Sequence, residues 1–492
     1  MKTSGFSYHQ RVSYDRAKMT GHFLDWAHQP RVYKRYPGIE PISLPQEVRF
    51  PDIRLSSLLK DRKTASFQPG MDLRGLSRIF RLSYSLTAKA RHSGGDFYYR
   101  SVASAGALYP AEIYVATEGV TDLQDGLYHF SIAQHALSQL RQGAFFHPAT
   151  LTFFITAIFF RSAWKYRERS YRYHLLDTGH VLENLILALH SLAMPHHLTL
   201  DFDDEAANRL LGVDETREVC LTLCSVPRPA ASSLERAQEI APLANDIRNQ
   251  SRVSEEETAY PEIQGIHTAG THRVSLSKPP PAMISRIGPS PMAWHTLEPL
   301  DTWPEKRDYA EAVFSRRSRR NFVKRPMPKE CLSALLEGLC ADDPGVQSDR
   351  RSSRYSSVCT GFLVGSVEGF ASGFYLLDTA RRAWGKVQDG FFMDRMARIC
   401  LDQMWLAHAA VHFIFLSNLE AVDNTRGPRG YRYAMLMAGR LGERLYLMAE
   451  AMGLGGCGIG AFYDREAAEL LRMNPTSQVL YIVAVGPVKS IH

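Results

Sequence analysis

One short segment of the chain combines residue types that bind phosphate. It reads Arg316-Arg317-Ser318-Arg319-Arg320, four arginines around one hydroxyl. A guanidinium group can donate two parallel hydrogen bonds to an anion, so closely spaced arginines beside a serine suit a phosphate group. The same run could equally form the solvated basic start of a helix. The residue types therefore indicate a phosphate site and leave a purely structural role open.

Two further segments expose backbone rather than side chains. One contains Ser104, Ala105 and Gly106 within a run of small residues, and the other contains Gly458, Ile459, Gly460 and Ala461 within a glycine-rich run. Small residues let peptide N–H and C=O groups approach a flat ligand closely. A tight turn before a strand predicted at 112–116 explains the first run equally well.

These segments belong to a diverged tandem repeat with an offset of 260 residues, which aligns Tyr171 with Tyr431 without a gap. Both copies predict a long helix with apolar residues at helical spacing, a loop, a short helix and a buried strand. The short helix is predicted at Asp204–Leu211 and the second copy's strand at Val479–Val485. A weaker match upstream pairs Gly126-Leu127-Tyr128 with Gly373-Phe374-Tyr375.

The three segments are not shared by the two copies. The counterpart of the arginine run is 61–67, which has lost three arginines, and the region 354–360 replaces the small-residue run. The counterpart of the glycine-rich run contains His196, His197, Asp201 and Asp203. Those residue types could suggest a metal, but their alignment favours a diverged ligand loop with no metal.

Length and composition favour a multidomain globular protein. A chain of 492 residues exceeds one hydrophobic core, and its charged fraction is 22% with a net charge of +7. We predict an N-terminal segment (1–50), a first half (51–230), a Pro-rich linker (231–303) and a second half (304–492). The interleaved charges argue against a nucleic-acid partner.

Sequence features also predict the compartment. The longest apolar run, 151–160, is too short to span a bilayer, so we expect no membrane association. The start of the chain lacks the apolar stretch of a secretory signal, and the seven cysteines include no CxxC pair. We therefore expect a cytoplasmic protein with free thiols.

The motifs resemble those of the nitroreductase superfamily, in particular its SagB-type branch, the azoline (thiazoline/oxazoline) dehydrogenases. Arg317-Ser318-x-Arg320-x-Phe322 resembles the superfamily's FMN-phosphate motif, with Arg316 adjoining it. The run 104–110 resembles the SagB-type SAGALYP motif, although Ala103 stands where proline is usual. Gly458-Ile459-Gly460-Ala461 resembles the later flavin loop.

The resemblance implies an α+β fold of two nitroreductase-like three-layer α/β/α halves, fused in tandem as an intrachain pseudo-dimer. In that family the FMN lies between two subunits. The arginine and glycine motifs come from one subunit and the small-residue motif from the other. The asymmetry of the repeat therefore implies one FMN per chain, held at a single interface. Higher oligomers remain open.

The resemblance also assigns catalytic residues. Lys165-Tyr166 resembles the Lys-Tyr motif of the azoline dehydrogenases, and 425–430 offers no such pair. Removal of a carbon-bound proton needs a neutral amine at Lys165, which burial and the neighbouring Arg167 and Arg169 would favour. Tyr166 would shuttle the proton or bind the substrate. A surface lysine beside a packed tyrosine is the structural alternative.

Three functions follow as hypotheses. The first is FMN-dependent oxidation of a peptide-like or heterocyclic azoline substrate, in natural-product or modified-peptide biosynthesis with partner enzymes. The second is an NAD(P)H-dependent reductase of nitro, quinone or enone groups, which flavin reduction by NADPH without substrate would favour. The third is a flavin-free scaffold within a biosynthetic complex. The substrate and the electron acceptor are left undetermined by the sequence.

Overall fold

A computed structural model describes residues 3–60, 70–92, 95–145, 149–227, 241–271, 282–341 and 357–489. Its helices are α1 (Gly5–Arg11), α2 (Leu55–Lys60), α3 (Leu73–Ser83), α4 (Phe159–Tyr166), α5 (Ser170–Ser191), α6 (Asp204–Leu211), α7 (Asn245–Arg248), α8 (Pro261–Ala269), α9 (Tyr309–Ser315), α10 (Lys329–Leu339), α11 (Met393–Ile399), α12 (Leu419–Arg426), α13 (Arg429–Ala451) and α14 (Asp464–Leu470).

The strands form two large sheets and one hairpin. They are β1 (Ile42–Ser43), β2 (Leu86–His92), β3 (Gly95–Arg100), β4 (Ala111–Thr117), β5 (Gly126–Ser131), β6 (Ala136–Gln142), β7 (Ala149–Ile158), β8 (His197–Thr199), β9 (Glu218–Pro227), β10 (His295–Thr296), β11 (Cys359–Val364), β12 (Gly373–Asp378), β13 (Ala383–Asp389), β14 (Val411–Asn418), β15 (Gly455–Ile459) and β16 (Ser477–Gly486).

The two large sheets have the same topology, which confirms the tandem fold. The strand orders are β1-β6-β5-β4-β7-β9-β8 and β10-β13-β12-β11-β14-β16-β15, with every paired strand antiparallel. The weaker sequence match corresponds to β5 and β12. The short helix predicted in the first copy is α6, and the predicted strand of the second copy lies within β16. Helices and sheets are mixed in each half, as expected for α+β.

The two long helices α5 and α13 pack against each other at the centre of the molecule. A Cβ at Gly179 would lie 2.3 Å from the carbonyl oxygen of Leu436, and a Cβ at Gly439 would lie 2.3 Å from that of Leu176. The two contacts are equivalent, because Gly179 and Gly439 align in the repeat and so do Leu176 and Leu436. Such a reciprocal interface is what a two-fold axis produces, here within one chain.

Buried ion pairs also connect the halves reciprocally. Arg169 and Arg172 of the first half bind Asp464 of the second, with Nη1–Oδ distances of 2.8 and 2.6 Å. At the equivalent positions, Arg429 and Arg432 bind Asp204. Because these side chains are almost fully buried, each carboxylate balances charge that the interior could not otherwise hold.

Helices α1 and α8, which precede the first and second halves, pack at equivalent positions against the pseudo-dimer. His9 of α1 lies 3.1 Å from the Tyr431 hydroxyl, and His267 of α8 lies 3.3 Å from the Tyr171 hydroxyl. Thus part of the range assigned to the Pro-rich linker packs Ile263 and Ile266 into the core. Residues 279–281, which carry the three consecutive prolines, lie outside the described residues.

Among the helices that the structure describes, none is both long and apolar enough to cross a bilayer. All seven cysteines are unpaired and buried.

Candidate active site

A cleft opens between the two halves. Its walls combine the small-residue run and Tyr166 of the first half with the arginine and glycine segments of the second. The lining residues are Ala103, Ser104, Ala105, Gly106, Tyr166, Tyr173, Leu176, Asp177, Ser318, Arg320, Gln403, Tyr446, Cys457, Gly458, Ile459, Gly460, Ala461 and Tyr481.

The first-half wall is held in place by Asp177 of α5. Its carboxylate accepts hydrogen bonds from the Ser104 hydroxyl (2.6 Å) and the Ala105 amide (3.3 Å), and Ser104 Oγ also accepts from the Tyr109 amide. Gly106 has φ +64°, a left-handed conformation that glycine adopts without strain. The run therefore forms a fixed turn whose backbone faces the cleft.

Asp177 is the carboxylate nearest to this turn and is buried. Burial raises the pKa of Asp177 to about 7, although the hydrogen bonds from Ser104 and Ala105 act in the opposite direction. A carboxyl group that changes charge near neutral pH thus anchors the small-residue run.

Lys165 and Tyr166 end helix α4 beside the same turn. A Cβ at Gly106 would lie 2.7 Å from the Tyr166 hydroxyl and 3.4 Å from Lys165 Nζ. Lys165 is half-buried and its Nζ lies 5.5 Å from the centre of the Tyr166 ring. Burial raises the pKa of Tyr166, so this hydroxyl is a proton donor over the ordinary pH range. Arg169, which we expected to favour the neutral form of Lys165, is paired with Asp464.

The second-half wall is organised by Tyr446 of α13. Its hydroxyl lies 2.9 Å from Ser318 Oγ and accepts a hydrogen bond of 2.6 Å from the Gly458 amide. One phenol thus links the arginine segment to the glycine-rich loop. Arg320 is exposed at the cleft and lies 5.9 Å from the Trp405 ring. In the described part of the chain, no carboxylate forms an ion pair with Arg320.

Two residues predicted with Ser318 and Arg320 point elsewhere. Arg316 is buried and donates to the carbonyls of Arg100 and Ser101 at 2.8 and 3.0 Å, which ties the second half to the first. Arg317 donates to the carbonyl of Phe314 and lies over the Tyr99 ring. Neither arginine lines the cleft, because backbone acceptors already bind both guanidinium groups.

Several cleft residues were not identified from the sequence: Asp177, Tyr446, Tyr481, Tyr173 and Gln403. Three of them could have been found by comparing the copies at the repeat offset. Asp177 aligns with Met437, Tyr446 with Ile186 and Tyr481 with Leu221. At each of these three aligned pairs, the polar residue lies on the side of the pseudo-dimer that carries the cleft and the apolar residue on the other side. The counterpart of the arginine run, 61–67, lies outside the described residues, and so do residues 354–356 of the counterpart of the small-residue run.

Comparison with known proteins agrees with this architecture. The profile of the nitroreductase family matches the chain twice, over residues 76–226 and 313–487. The chain belongs to the nitroreductase family. Its two matched segments contain the central helices and most strands of the two sheets, so the family domain occurs in tandem, as the sequence repeat predicted.

Relatives of this nitroreductase-family chain include single and tandem forms. The assigned nitroreductase MJ1384 of Methanocaldococcus jannaschii is 28% identical over 165 residues, covering 33% of this chain and 83% of the relative. The trifolitoxin-processing protein TfxB of Rhizobium leguminosarum bv. trifolii is 26% identical over 155 residues, covering 28% of this chain and 42% of TfxB. A crystal structure of an assigned nitroreductase from Anabaena variabilis superposes over 99% of this chain and all of its own, with TM-score 0.77 and 26% identity.

Proposed function

We propose that this protein is an FMN-dependent oxidoreductase that removes a hydride from an azoline-type, peptide-like substrate during modified-peptide biosynthesis. The observation that carries the proposal is the composition of the cleft. Lys165-Tyr166 and the small-residue turn of one half face the glycine-rich loop, Ser318 and Arg320 of the other. The similarity to TfxB, a trifolitoxin-processing protein, supports a role in a biosynthetic processing reaction.

The cleft residues fit FMN in charge and shape. Arg320 has no carboxylate partner among the described residues, and Ser318 adds a hydroxyl, so both suit the phosphate group. The small-residue turn and the glycine-rich loop present backbone N–H and C=O groups that suit the polar edge of a flat ring. Bound FMN would supply the hydride acceptor. Each set comes from one half only, which supports one FMN per chain.

The protein's own residues would handle the proton of the reaction. Oxidation of an azoline removes one carbon-bound proton and one hydride, and Lys165 Nζ is placed to take the proton. Tyr166, whose hydroxyl lies against Gly106, would hold the substrate over the turn. Burial of the cleft between the halves would limit the access of water to the reacting carbon.

Cofactor binding is tested first, by titrating the purified protein with FMN and following the quenching of flavin fluorescence. Arg320→Ala should weaken binding at least tenfold, since a charged hydrogen bond to phosphate contributes about 1.5–3 kcal/mol. Arg325→Ala is the control, because Arg325 is exposed and does not line the cleft. A wild-type protein that fails to bind FMN would contradict the proposal and favour a flavin-free scaffold.

Activity is tested with a thiazoline-containing peptide. Lys165→Ala should leave FMN bound and lower the rate of substrate-dependent flavin reduction by about 10²–10⁴-fold, the usual contribution of a general base. Lys329→Ala, which changes an exposed lysine outside the cleft, is the control. Rapid flavin reduction by NADPH alone, with no response to the thiazoline, would instead indicate an NAD(P)H-dependent reductase.

A further inference from the structure

A buried hydrogen-bonded chain leads from the cleft into the interface between the halves. Tyr481 of β16 lines the cleft, and its hydroxyl lies 3.1 Å from Nε2 of His180 on α5. Nδ1 of His180 lies 2.5 Å from Oε2 of Glu443 on α13. All three side chains are buried. Because His180 belongs to one half and the other two to the other, the chain of bonds exists only in the assembled pair.

Two glycines make room for this tyrosine. A Cβ at Gly458 would lie 1.8 Å from the Tyr481 hydroxyl oxygen, and a Cβ at Gly442 would lie 2.5 Å from the edge of its ring. Real side chains cannot approach so closely, so any larger residue at either position would displace the phenol. The glycine-rich loop therefore serves Tyr481 as well as leaving backbone exposed to the cleft.

The repeat provides an internal comparison for these positions. On the other side of the pseudo-dimer, Tyr481, Gly442 and Gly458 are replaced by Leu221, Leu182 and Leu198. Three leucines therefore stand at the positions that a tyrosine and two glycines occupy on the cleft side. An interface that needed only packing could use the leucine set on both sides.

The polar part of the chain differs in the same way. The glutamate is present on both sides, but the counterpart of His180 is Arg440, which binds Glu183 at 2.9 Å together with Arg444 at 2.7 Å. A glutamate balanced by arginines thus satisfies the interface. Histidine and tyrosine replace the arginine and leucine only where the cleft is, which indicates a role in the cleft.

Hydrogen-bond direction follows from the donors available. A carboxylate only accepts, so Nδ1 of His180 carries a hydrogen toward Glu443. When the imidazole is neutral, Nε2 accepts from the Tyr481 hydroxyl, and the phenol oxygen presents lone pairs to the cleft. When the imidazole is protonated, Nε2 donates, and the phenol directs its hydrogen into the cleft.

We propose that Tyr481 contacts the ligand in the cleft, and that protonation of His180 sets whether it accepts or donates a hydrogen bond. This inference rests on the proposed function and names a further residue of that site. As a ligand atom becomes more negative, Tyr481 would donate its hydrogen and take one from His180 Nε2, leaving neutral imidazole. The reverse transfer restores the starting state, so no proton is gained or lost. Glu443 acts as a positioning residue.

Other groups face the same chain and set its charge. Asp177 on α5, Tyr446 on α13 and Cys457 on β15 lie near Tyr481, and Arg316 lies 3.9 Å from Glu443. Burial raises the pKa of Tyr481 well above its ordinary value, so the phenol stays protonated at rest.

The test compares Tyr481→Phe with Tyr433→Phe, whose hydroxyl bonds to Asp201 away from the cleft. Both variants keep the ring, and His180→Gln serves as a second probe if Tyr481→Phe does not fold. FMN binding is measured first. If wild-type protein binds no FMN, the proposed function fails at that step. If it binds FMN, the absorption spectrum of the bound flavin is recorded between about pH 5 and 8, where histidine titrates.

In the Asp177→Asn background, which removes the other cleft group that changes charge near neutral pH, we expect a pH-dependent spectral shift in the otherwise wild-type protein and in Tyr433→Phe that is absent in Tyr481→Phe and His180→Gln. Turnover of Tyr481→Phe should fall about tenfold, as for one lost hydrogen bond. In FMN-free protein, NMR of labelled histidine should show that Tyr481→Phe changes the chemical shift of His180 Nε2, which loses its hydrogen-bond partner, and that Tyr433→Phe does not. An unchanged spectral response in Tyr481→Phe, or an equal loss in Tyr433→Phe, would overturn the inference.

Discussion

The two sides of the pseudo-dimer share the buried ion pairs that join the halves, which we call the supports, but they differ in the residues that line the cleft. On the cleft side, Asp464 is bound by two arginines of the other half, and on the counterpart side Asp204 is bound by the equivalent pair. The lining residues Tyr446 and Tyr481 have apolar counterparts, Ile186 and Leu221. The ion pairs that support the fold therefore occur on both sides of the pseudo-dimer, whereas tyrosines occupy the two lining positions on the cleft side only.

This comparison separates the residues that hold the fold from those proposed to bind a ligand. A homodimer must place every lining residue at both interfaces, because one gene encodes both. A fused chain is free of that constraint, so each half can specialise. Substitutions at matched positions of the two sides therefore measure scaffold and site independently.

The largest effect is expected from the shared ion pairs. Asp464→Asn and Asp204→Asn each leave two buried arginines without a full countercharge, which should lower the free energy of unfolding by about 3–5 kcal/mol. Urea denaturation followed by circular dichroism measures both. Only Asp464→Asn should also weaken FMN binding, since Arg169 binds the carbonyl of Gly460 in the cleft loop. A much smaller loss in Asp204→Asn would show that the two supports are not equivalent.

Substitutions at the contact between α5 and α13 should also lower the free energy of unfolding, by the same amount in either helix. Gly179→Ala or Gly439→Ala would place a methyl group against the backbone of the opposing helix, at a cost of about 1–3 kcal/mol. Gly265→Ala in α8 is the control, because its Cβ would meet nothing within 4 Å; there alanine should stabilise the helix slightly. Unequal losses at Gly179 and Gly439 in urea denaturation would contradict a symmetric crossing.

Asp177, whose counterpart in the second copy is Met437, should make the stability of the protein depend on pH. Its folded-state pKa of about 7 exceeds the ordinary 3.8, so the folded protein holds a proton that the unfolded chain has released. The resulting cost is absent below 3.8, grows as the pH rises and is complete above about 7. Asp177→Asn should therefore be more stable than wild type above that range, by up to about 4 kcal/mol, because each unit of pKa difference contributes about 1.4 kcal/mol. A constant difference across the pH range in urea denaturation would show that titration of Asp177 is not its cause.

The sequence predicted the repeat, its main elements and the three segments that meet at the cleft. These were accessible because each is contiguous and is carried by a periodic pattern or a run of unusual composition. Arg316 belonged to such a run, yet its guanidinium binds carbonyls of Arg100 and Ser101 instead of facing the cleft. Composition gives residue types and not side-chain directions.

The residues that the sequence analysis missed are single polar positions inside apolar elements. Tyr481 lies in the middle of a buried strand and Tyr446 in a long helix, where periodicity assigns both to the core. Their role depends on which side of the interface they face, and that follows only from the packing of α5 against α13. Alignment of the two copies shows the polar substitutions but not the cleft they line.

The smallest effect concerns the turn after the Lys-Tyr pair. Arg167 adopts φ 50° and ψ −137°, and its counterpart Gly427 adopts φ 60° and ψ −166°, so the backbone makes the same left-handed turn on both sides. Glycine takes this conformation freely, whereas a side chain there costs about 1–3 kcal/mol. Arg167→Gly should therefore raise the free energy of unfolding by about 1 kcal/mol, and Gly427→Ala should lower it by a similar amount, as measured by urea denaturation. That result would show that backbone strain is present at Arg167, next to Lys165 on the cleft side, and absent at its counterpart Gly427. Destabilisation by Arg167→Gly would mean instead that contacts of the arginine side chain outweigh the strain, and that this turn belongs with the shared supports.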